Sequence, residues 1–120
     1  MEHVRMIAQM MVALGIHNVW ILRFNKATAY RAGTARNMKE EFATYGLPMW
    51  FMWGIGGLKI LLALALLVGF WLPPLVRPAA LALAILMLGA IGMHIKAGDT
   101  LKKTTPASIM LVLALVVAIL

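Results

Sequence analysis

Among the polar side chains inside otherwise apolar stretches of this sequence are His17, Asn18, Lys59 and His94. Lys59 stands out most, as the only charged residue from Leu47 to Leu72. Placing an ammonium near the hydrocarbon core of a bilayer costs roughly 2.5–3.5 kcal/mol, so such a residue faces a protein interior, a wet cavity or the headgroups. A cation with neutral donors beside it would suit a carbonyl, carboxylate or phosphate group on a lipophilic ligand. The alternative for Lys59 is snorkelling, with its ammonium at the interface or paired to Glu40 or Glu41. His17 and His94 could in principle be two axial ligands of a b-type haem. A di-iron or zinc site is not expected, because all four acids lie outside the apolar stretches.

The elements that position these groups must lie in a membrane. With 63% hydrophobic and 12% charged residues, the 120-residue chain carries more apolar surface than one small soluble core can bury. Four apolar segments read as helices, over about residues 6–24, 48–72, 79–96 and 106–120, because lipid leaves backbone groups no other partner. They predict an all-α integral membrane four-helix bundle, up-down-up-down, forming one transmembrane domain over residues 1–120. The first segment, with one positive charge near its start and then an apolar run, reads as a retained anchor.

Trp50 and Trp53 at one end of the second segment and Trp71 at the other lie roughly 27–32 Å apart along a helix, about one hydrocarbon thickness. Pro73, Pro74 and Pro78 break the chain before the third segment. Thr105 and Pro106 read as N-cap and first residue of the fourth, which would then span only about 21 Å. Between the first two spans, Asn37 with Glu40 fits a capping box, while Met38, Phe42 and Tyr45 share one face. Gly46 and Pro48 supply a stop, which predicts a short amphipathic interfacial helix over about residues 37–45. Gly54, Gly56, Gly57, Gly89 and Gly92 read as small residues for close helix packing.

The net charge of +7 and pI of about 10.4 do not point to nucleic acid, because no aromatic-basic binding motif is present. The basic residues fall in the connections, where they set topology and meet lipid headgroups. Eight Lys and Arg lie in the first and third connections against Arg5 and Arg77 on the other side. The positive-inside rule then puts both termini outside. The absence of cysteine excludes thiol-disulfide chemistry, iron–sulfur clusters and covalent c-type haem.

Taking Arg23, Trp53 and Lys96 as the basic-side boundary, His17, Asn18, Lys59 and His94 lie at depths of about 9, 7.5, 9 and 3 Å. Lys59, His17 and Asn18 therefore share one layer. The offset of His94 weakens the haem reading, to which Lys59 lends no support. A visible absorption spectrum without a haem band would remove it.

The run Gly57-Leu58-Lys59, then Leu66-Leu67-Val68-Gly69, the proline turn with Arg77, and Leu88-Gly89-Ala90 resembles the DoxX-like family of small four-helix membrane proteins. Glu41-Phe42 through Gly46-Leu47-Pro48, and Lys103 through Pro106-Ala107, are similar too, so the resemblance covers nearly the whole chain. Family members are associated with quinone-linked respiratory complexes such as thiosulfate:quinone oxidoreductase, with assemblies that handle oxidative stress, and with chaperone-like roles. Relatives often carry glutamate where this chain has Lys59, so a role served by that acid does not carry over unchanged.

The resemblance implies an accessory subunit of a quinone-linked oxidoreductase in a prokaryotic cytoplasmic membrane. It would have no catalytic residues of its own, and would contact quinone or a partner through Lys59, His17 and Asn18, with His94 nearby. The alternatives are a membrane scaffold or assembly protein and a small lipophile carrier. A homo-oligomer is a further expected form, and no metal is expected.

Overall fold

The computed structural model describes residues 1–120, and the chain is entirely helical apart from its turns and connections. Helix α1 (Glu2–His17) begins four residues earlier than the apolar run suggests, with the Glu2 carboxylate in its first turn, where the positive helix end favours it. It continues into a π-helical turn over Asn18–Leu22, closed by the Arg23 N–H donating to the Asn18 carbonyl at 2.9 Å. The short α2 (Met38–Thr44) follows the predicted capping pattern. The Asn37 side chain accepts from the Glu40 N–H at 2.9 Å and donates to the Glu40 carboxylate at 3.0 Å. Helices α3 (Met49–Val68), α4 (Val76–Lys96) and α5 (Leu101–Ile119) complete the set.

Two prolines fall where sequence reading does not place them. Pro73 and Pro74 form a 3₁₀ turn, as a break requires, but Pro78 lies within the first turn of α4. The first four N–H groups of a helix have no intrahelical acceptor, so proline costs nothing there. Likewise Pro106 does not open α5 but lies inside it, five residues after its start at Leu101. The Thr104 and Thr105 hydroxyls donate back to the Leu101 carbonyl in this irregular first turn. With 19 residues, α5 is about 28 Å long and reaches across a bilayer without being recessed.

The four long helices are all long and apolar enough to span a membrane. They pack as a ring, in which α1 and α4 each touch both α3 and α5. The molecule measures 40 × 26 × 20 Å, its long axis close to a bilayer with its headgroups. Inward positions on α3 run Met52, Gly56, Lys59, Ala63 and Leu66, a four-three-four-three spacing that marks one helix face. Facing them are Val12, Ala13 and Ile16 of α1, Ala80, Leu83 and Ala84 of α4, and Ala114 and Val117 of α5. Alanine is frequent here because lipid supplies no hydrophobic drive between helices, and small side chains let the backbones approach.

Of the glycines expected to serve packing, only Gly56 does so within this chain. A Cβ there would come within 2.4 Å of the Trp20 ring, whereas Gly54, Gly57, Gly89 and Gly92 have nothing within 4 Å of that position. Replacing Gly56 with alanine is expected to push Trp20 off its seat at a cost of about 1–3 kcal/mol, the usual penalty for overpacking. A lower melting temperature in detergent with altered Trp20 emission would show it. Unchanged values would mean that the ring has room to move.

Candidate functional site

The inward stripe of α3 carries Lys59 into the bundle, where it is 8% exposed. Its Nζ lies 5.4 Å from the centroid of the Trp20 ring, an attractive cation–π arrangement. The π turn of α1 carries that indole, and Gly56, one turn before Lys59, leaves the space it fills. Such turns are uncommon inside α-helices and are frequent at functional sites. Lys59 forms no hydrogen bond and no salt bridge, so the only partner recorded for its three donors is an aromatic face.

Beyond Trp20, toward the end carrying the basic connections, aromatic rings lead to a polar cluster. Trp20 meets Phe42 edge-on at 5.8 Å, Phe42 meets Tyr45 at 5.8 Å, and Tyr45 meets His94 at 5.9 Å. Glu41, on the buried side of α2, receives Arg31 Nη1 at 2.8 Å, the Tyr45 hydroxyl at 2.9 Å and the Ala32 N–H at 3.3 Å. Arg31 also donates to the carbonyls of Arg23, Phe24 and Lys26, so it closes the end of α1 while it neutralises Glu41. Its cation thus sits at a helix C-terminus, where the dipole favours it.

The turn after α4 builds the other half of the cluster. Gly98, at φ +72°, takes the left-handed conformation that ends the helix. The Gly98 and Asp99 N–H groups then return to the Ile95 and His94 carbonyls at 3.0 Å each. This Schellman geometry folds the Asp99 side chain back onto its own helix. Asp99 Oδ2 accepts from His94 Nδ1 at 2.8 Å, and Asp99 Oδ1 accepts from the Gly33 N–H at 2.9 Å. Lys103 stands 3.9 Å from the same carboxylate and donates to the Gly33 carbonyl. A carboxylate only accepts, so His94 carries its proton on Nδ1. His94 Nε2 faces the Tyr45 hydroxyl at 3.5 Å and Glu41 at 3.9 Å. Lys96 closes the end of α2 through the Tyr45 carbonyl at 3.1 Å.

Burial pushes the Tyr45 phenol well above its ordinary value, and the Glu41 carboxylate adds to the effect, so Tyr45 stays a neutral donor. Asp99 moves the other way. Desolvation acts to raise its pKa, but the Gly33 N–H, His94 and Lys103 outweigh it and hold the carboxyl below its ordinary value. Because the folded value lies under the unfolded one, Asp99 contributes its full stabilisation above the ordinary carboxylate range. That contribution is lost as pH falls through the folded value. The melting temperature is therefore expected to be insensitive to Asp99 between about pH 7 and 5, and to fall below about pH 4. Asp99→Asn should shrink the acid-side drop, and an unaltered drop would place it on other carboxylates.

The residues singled out in the sequence are thus distributed over several environments. His17 Nδ1 donates to the Ala13 carbonyl of its own helix at 2.7 Å, and the Asn18 side-chain carbonyl accepts from Arg23 Nε at 3.3 Å. Neither hydrogen-bonds Lys59. Of the expected charge partners for Lys59, Glu40 caps α2 through Asn37 and Glu41 is held by Arg31, because the connection before α2 brings that guanidinium closer. His94 Nδ1 is held by Asp99 and His17 Nδ1 by the Ala13 carbonyl, bonds that fix each ring's tautomer and leave Nε2 as its acceptor.

Arg31, Tyr45, Asp99, Lys103 and Trp20 were not among the candidates. A signal existed for part of this set. Glu41 falls on the stripe of Met38, Phe42 and Tyr45, and Gly98 followed by Asp99 marks a helix stop that returns an acid toward His94. At the opposite end, Gln9 Nε2 donates to the Leu66 carbonyl, which the end of α3 leaves free, and Arg77 does the same for Ala118 of α5. A groove of about 410 Å³ between α1 and α5 at that end is lined wholly by apolar side chains, among them Val4, Val112 and Leu115.

No curated protein and no solved structure is found to match the chain. A family model described as DoxX-like matches residues 16–118, which include all four of the polar positions read from the sequence. Four apolar spans in a closed ring, with that match covering most of the chain, establish a multi-pass membrane protein that belongs to the DoxX-like family.

Proposed function

We propose that this protein is an accessory subunit of a quinone-linked membrane oxidoreductase, without catalytic residues of its own. In this reading the Lys59 ammonium donates to the carbonyl of a quinone headgroup or to an acceptor on a partner subunit. One observation carries it. Arg31, Glu41, Tyr45 and His94, the other buried ionisable groups, all have hydrogen-bond or ion-pair partners, whereas Lys59 has neither and stands over the Trp20 ring. A buried ammonium with free donors is costly, and a ligand acceptor would relieve that cost. His17, Asn18 and His94 remain candidates for the surroundings of the headgroup, which lies within one helical turn or two of their depth. The membrane is the prokaryotic cytoplasmic membrane, with the basic connections inside and both termini outside. Reporter fusions at Gly33 and after Leu120 are expected to report cytoplasm and exterior respectively, and a cytoplasmic C-terminus would overturn this orientation.

The scaffold or assembly reading draws on a different observation. The Arg31–Glu41–Tyr45–His94–Asp99 cluster satisfies itself and needs no ligand. A carrier role is weaker, because one bundle of this size leaves little for alternating access. Gentle purification with mass spectrometry of everything retained separates the readings. The accessory-subunit reading expects quinone or an oxidoreductase subunit to co-purify. A bare protein or homo-oligomer would contradict it.

A further inference from the structure

The end of the bundle that carries the basic connections holds eight Lys and Arg against three acids, Glu40, Glu41 and Asp99. The structure divides these cations into two groups. Arg31 is committed to Glu41, Lys103 to Asp99 and the Gly33 carbonyl, Lys96 to the Tyr45 carbonyl and Arg23 to Asn18. Lys26, Arg36, Lys39 and Lys102 are exposed and have neither a hydrogen bond nor a salt bridge. Glu41 and Asp99 are held within the cluster, and the exposed Glu40 bonds Asn37 and pairs with none of the four, so these cations outnumber the acids available to them.

We infer that Lys26, Arg36, Lys39 and Lys102 form a docking surface for the phosphate headgroups of anionic phospholipids. Charge complementarity selects an anionic occupant, since four unpaired cations at one end attract anions and repel a basic partner. Position selects lipid over an acidic protein. Trp50 and Trp53, 74% and 56% exposed in the first turns of α3, belong at headgroup depth at this same end. Lys102 lies in the first turn of α5 and Lys39 in the first turn of α2, each where a span or interfacial helix meets the headgroups. The internal cluster makes this possible. By keeping Glu41 and Asp99 turned inward, it leaves Glu40 as the one exposed carboxylate of the outer face, against four exposed cations. The surface is separate from the Lys59 site, and its test does not depend on any role in quinone chemistry.

The test uses the whole protein in nanodiscs of phosphatidylcholine mixed with phosphatidylglycerol, followed by native mass spectrometry of the lipids it retains. Wild-type protein is expected to retain phosphatidylglycerol selectively, with the preference fading as salt rises from about 50 mM to about 500 mM. Each neutralised residue is expected to weaken retention about fivefold at low salt. The variant combining Lys26→Gln, Arg36→Gln, Lys39→Gln and Lys102→Gln should keep its melting temperature, because none of the four is bonded, yet show no preference. Four control changes at the committed positions are unsuitable, so Arg77→Gln at the opposite end serves as the control and should leave the preference intact. A wild-type protein indifferent to headgroup charge, or a quadruple variant as selective as wild type, would overturn the inference. So would displacement of the lipid by soluble glycerol phosphate at equal concentration, which would mark a site for free phosphate esters. Salt-dependent binding of polyglutamate without lipid preference would assign the face to an acidic protein and equally overturn it.

Discussion

Replacing Glu41 with alanine is expected to destabilise the protein by about 3–5 kcal/mol, the range found when one member of a buried ion pair is removed. The pair is close and dry: Arg31 Nη1 lies 2.8 Å from the carboxylate, and the two side chains are 5% and 11% exposed. Truncation would leave the guanidinium without its counter-charge, orphan the Ala32 N–H and leave the Tyr45 hydroxyl only its 3.5 Å contact with His94 Nε2. Each of these groups has lost its water on folding, so the penalty is desolvation without repayment. The complementary change, Arg31→Met, removes the cation but leaves Glu41 buried with only neutral donors and His94 nearby. It should be similarly costly. Combining Arg31→Met with Glu41→Leu is expected to recover part of the loss, because an apolar pair of similar volume carries no unpaired charge. Thermal melts of the three variants in detergent test this. A Glu41→Ala variant within about 1 kcal/mol of wild type would mean that water reaches Arg31 and that the pair is in effect a surface one.

The consequence of that pair extends past stability. Arg31 ties the connection after α1 to α2, and the contact of Gly33 with Asp99 and Lys103 ties the same connection to the turn before α5. These bonds hold the Tyr45–His94 contact and the Phe42 ring against Trp20, the ring on which the Lys59 ammonium stands. Loss of Glu41 would therefore loosen the wall of the Lys59 site from behind.

The sequence made the spans legible because lipid reduces the question to length and apolar content. Even α2 could be read, from the Asn37–Glu40 cap and the face of Met38, Phe42 and Tyr45. What escaped was governed by local geometry. Pro78 looks like a break from composition alone, and only its position in the first turn of α4 shows why it is tolerated, while Pro106 reads as a helix start but lies inside α5. Lys59 was legible as an anomaly, but its partner was not. Trp20 reaches it only because α1 changes to π geometry at Asn18 and because Gly56 leaves room, and neither follows from hydropathy. The polar cluster escaped for a related reason. Arg31 and Asp99 come from connections and Glu41 from the amphipathic segment, and what brings the two halves together is the contacts of Gly33 with Asp99 and Tyr45 with His94, far apart in the chain.

Lys59→Met is expected to abolish retention of quinone while leaving stability within about 1 kcal/mol of wild type, because relief of the buried charge offsets the lost cation–π contact. This combination distinguishes a ligand contact from a packing residue, whose replacement would lower stability and leave retention untouched. The most direct test of the central claim is the amount of quinone that co-purifies with wild-type protein and with Lys59→Met, each measured alongside its melting temperature. Quinone is expected on the wild type, with at least a tenfold reduction on the variant, equivalent to about 1.4 kcal/mol of binding, and closely similar melting temperatures. Equal quinone on both proteins, or none on the wild type, would contradict it.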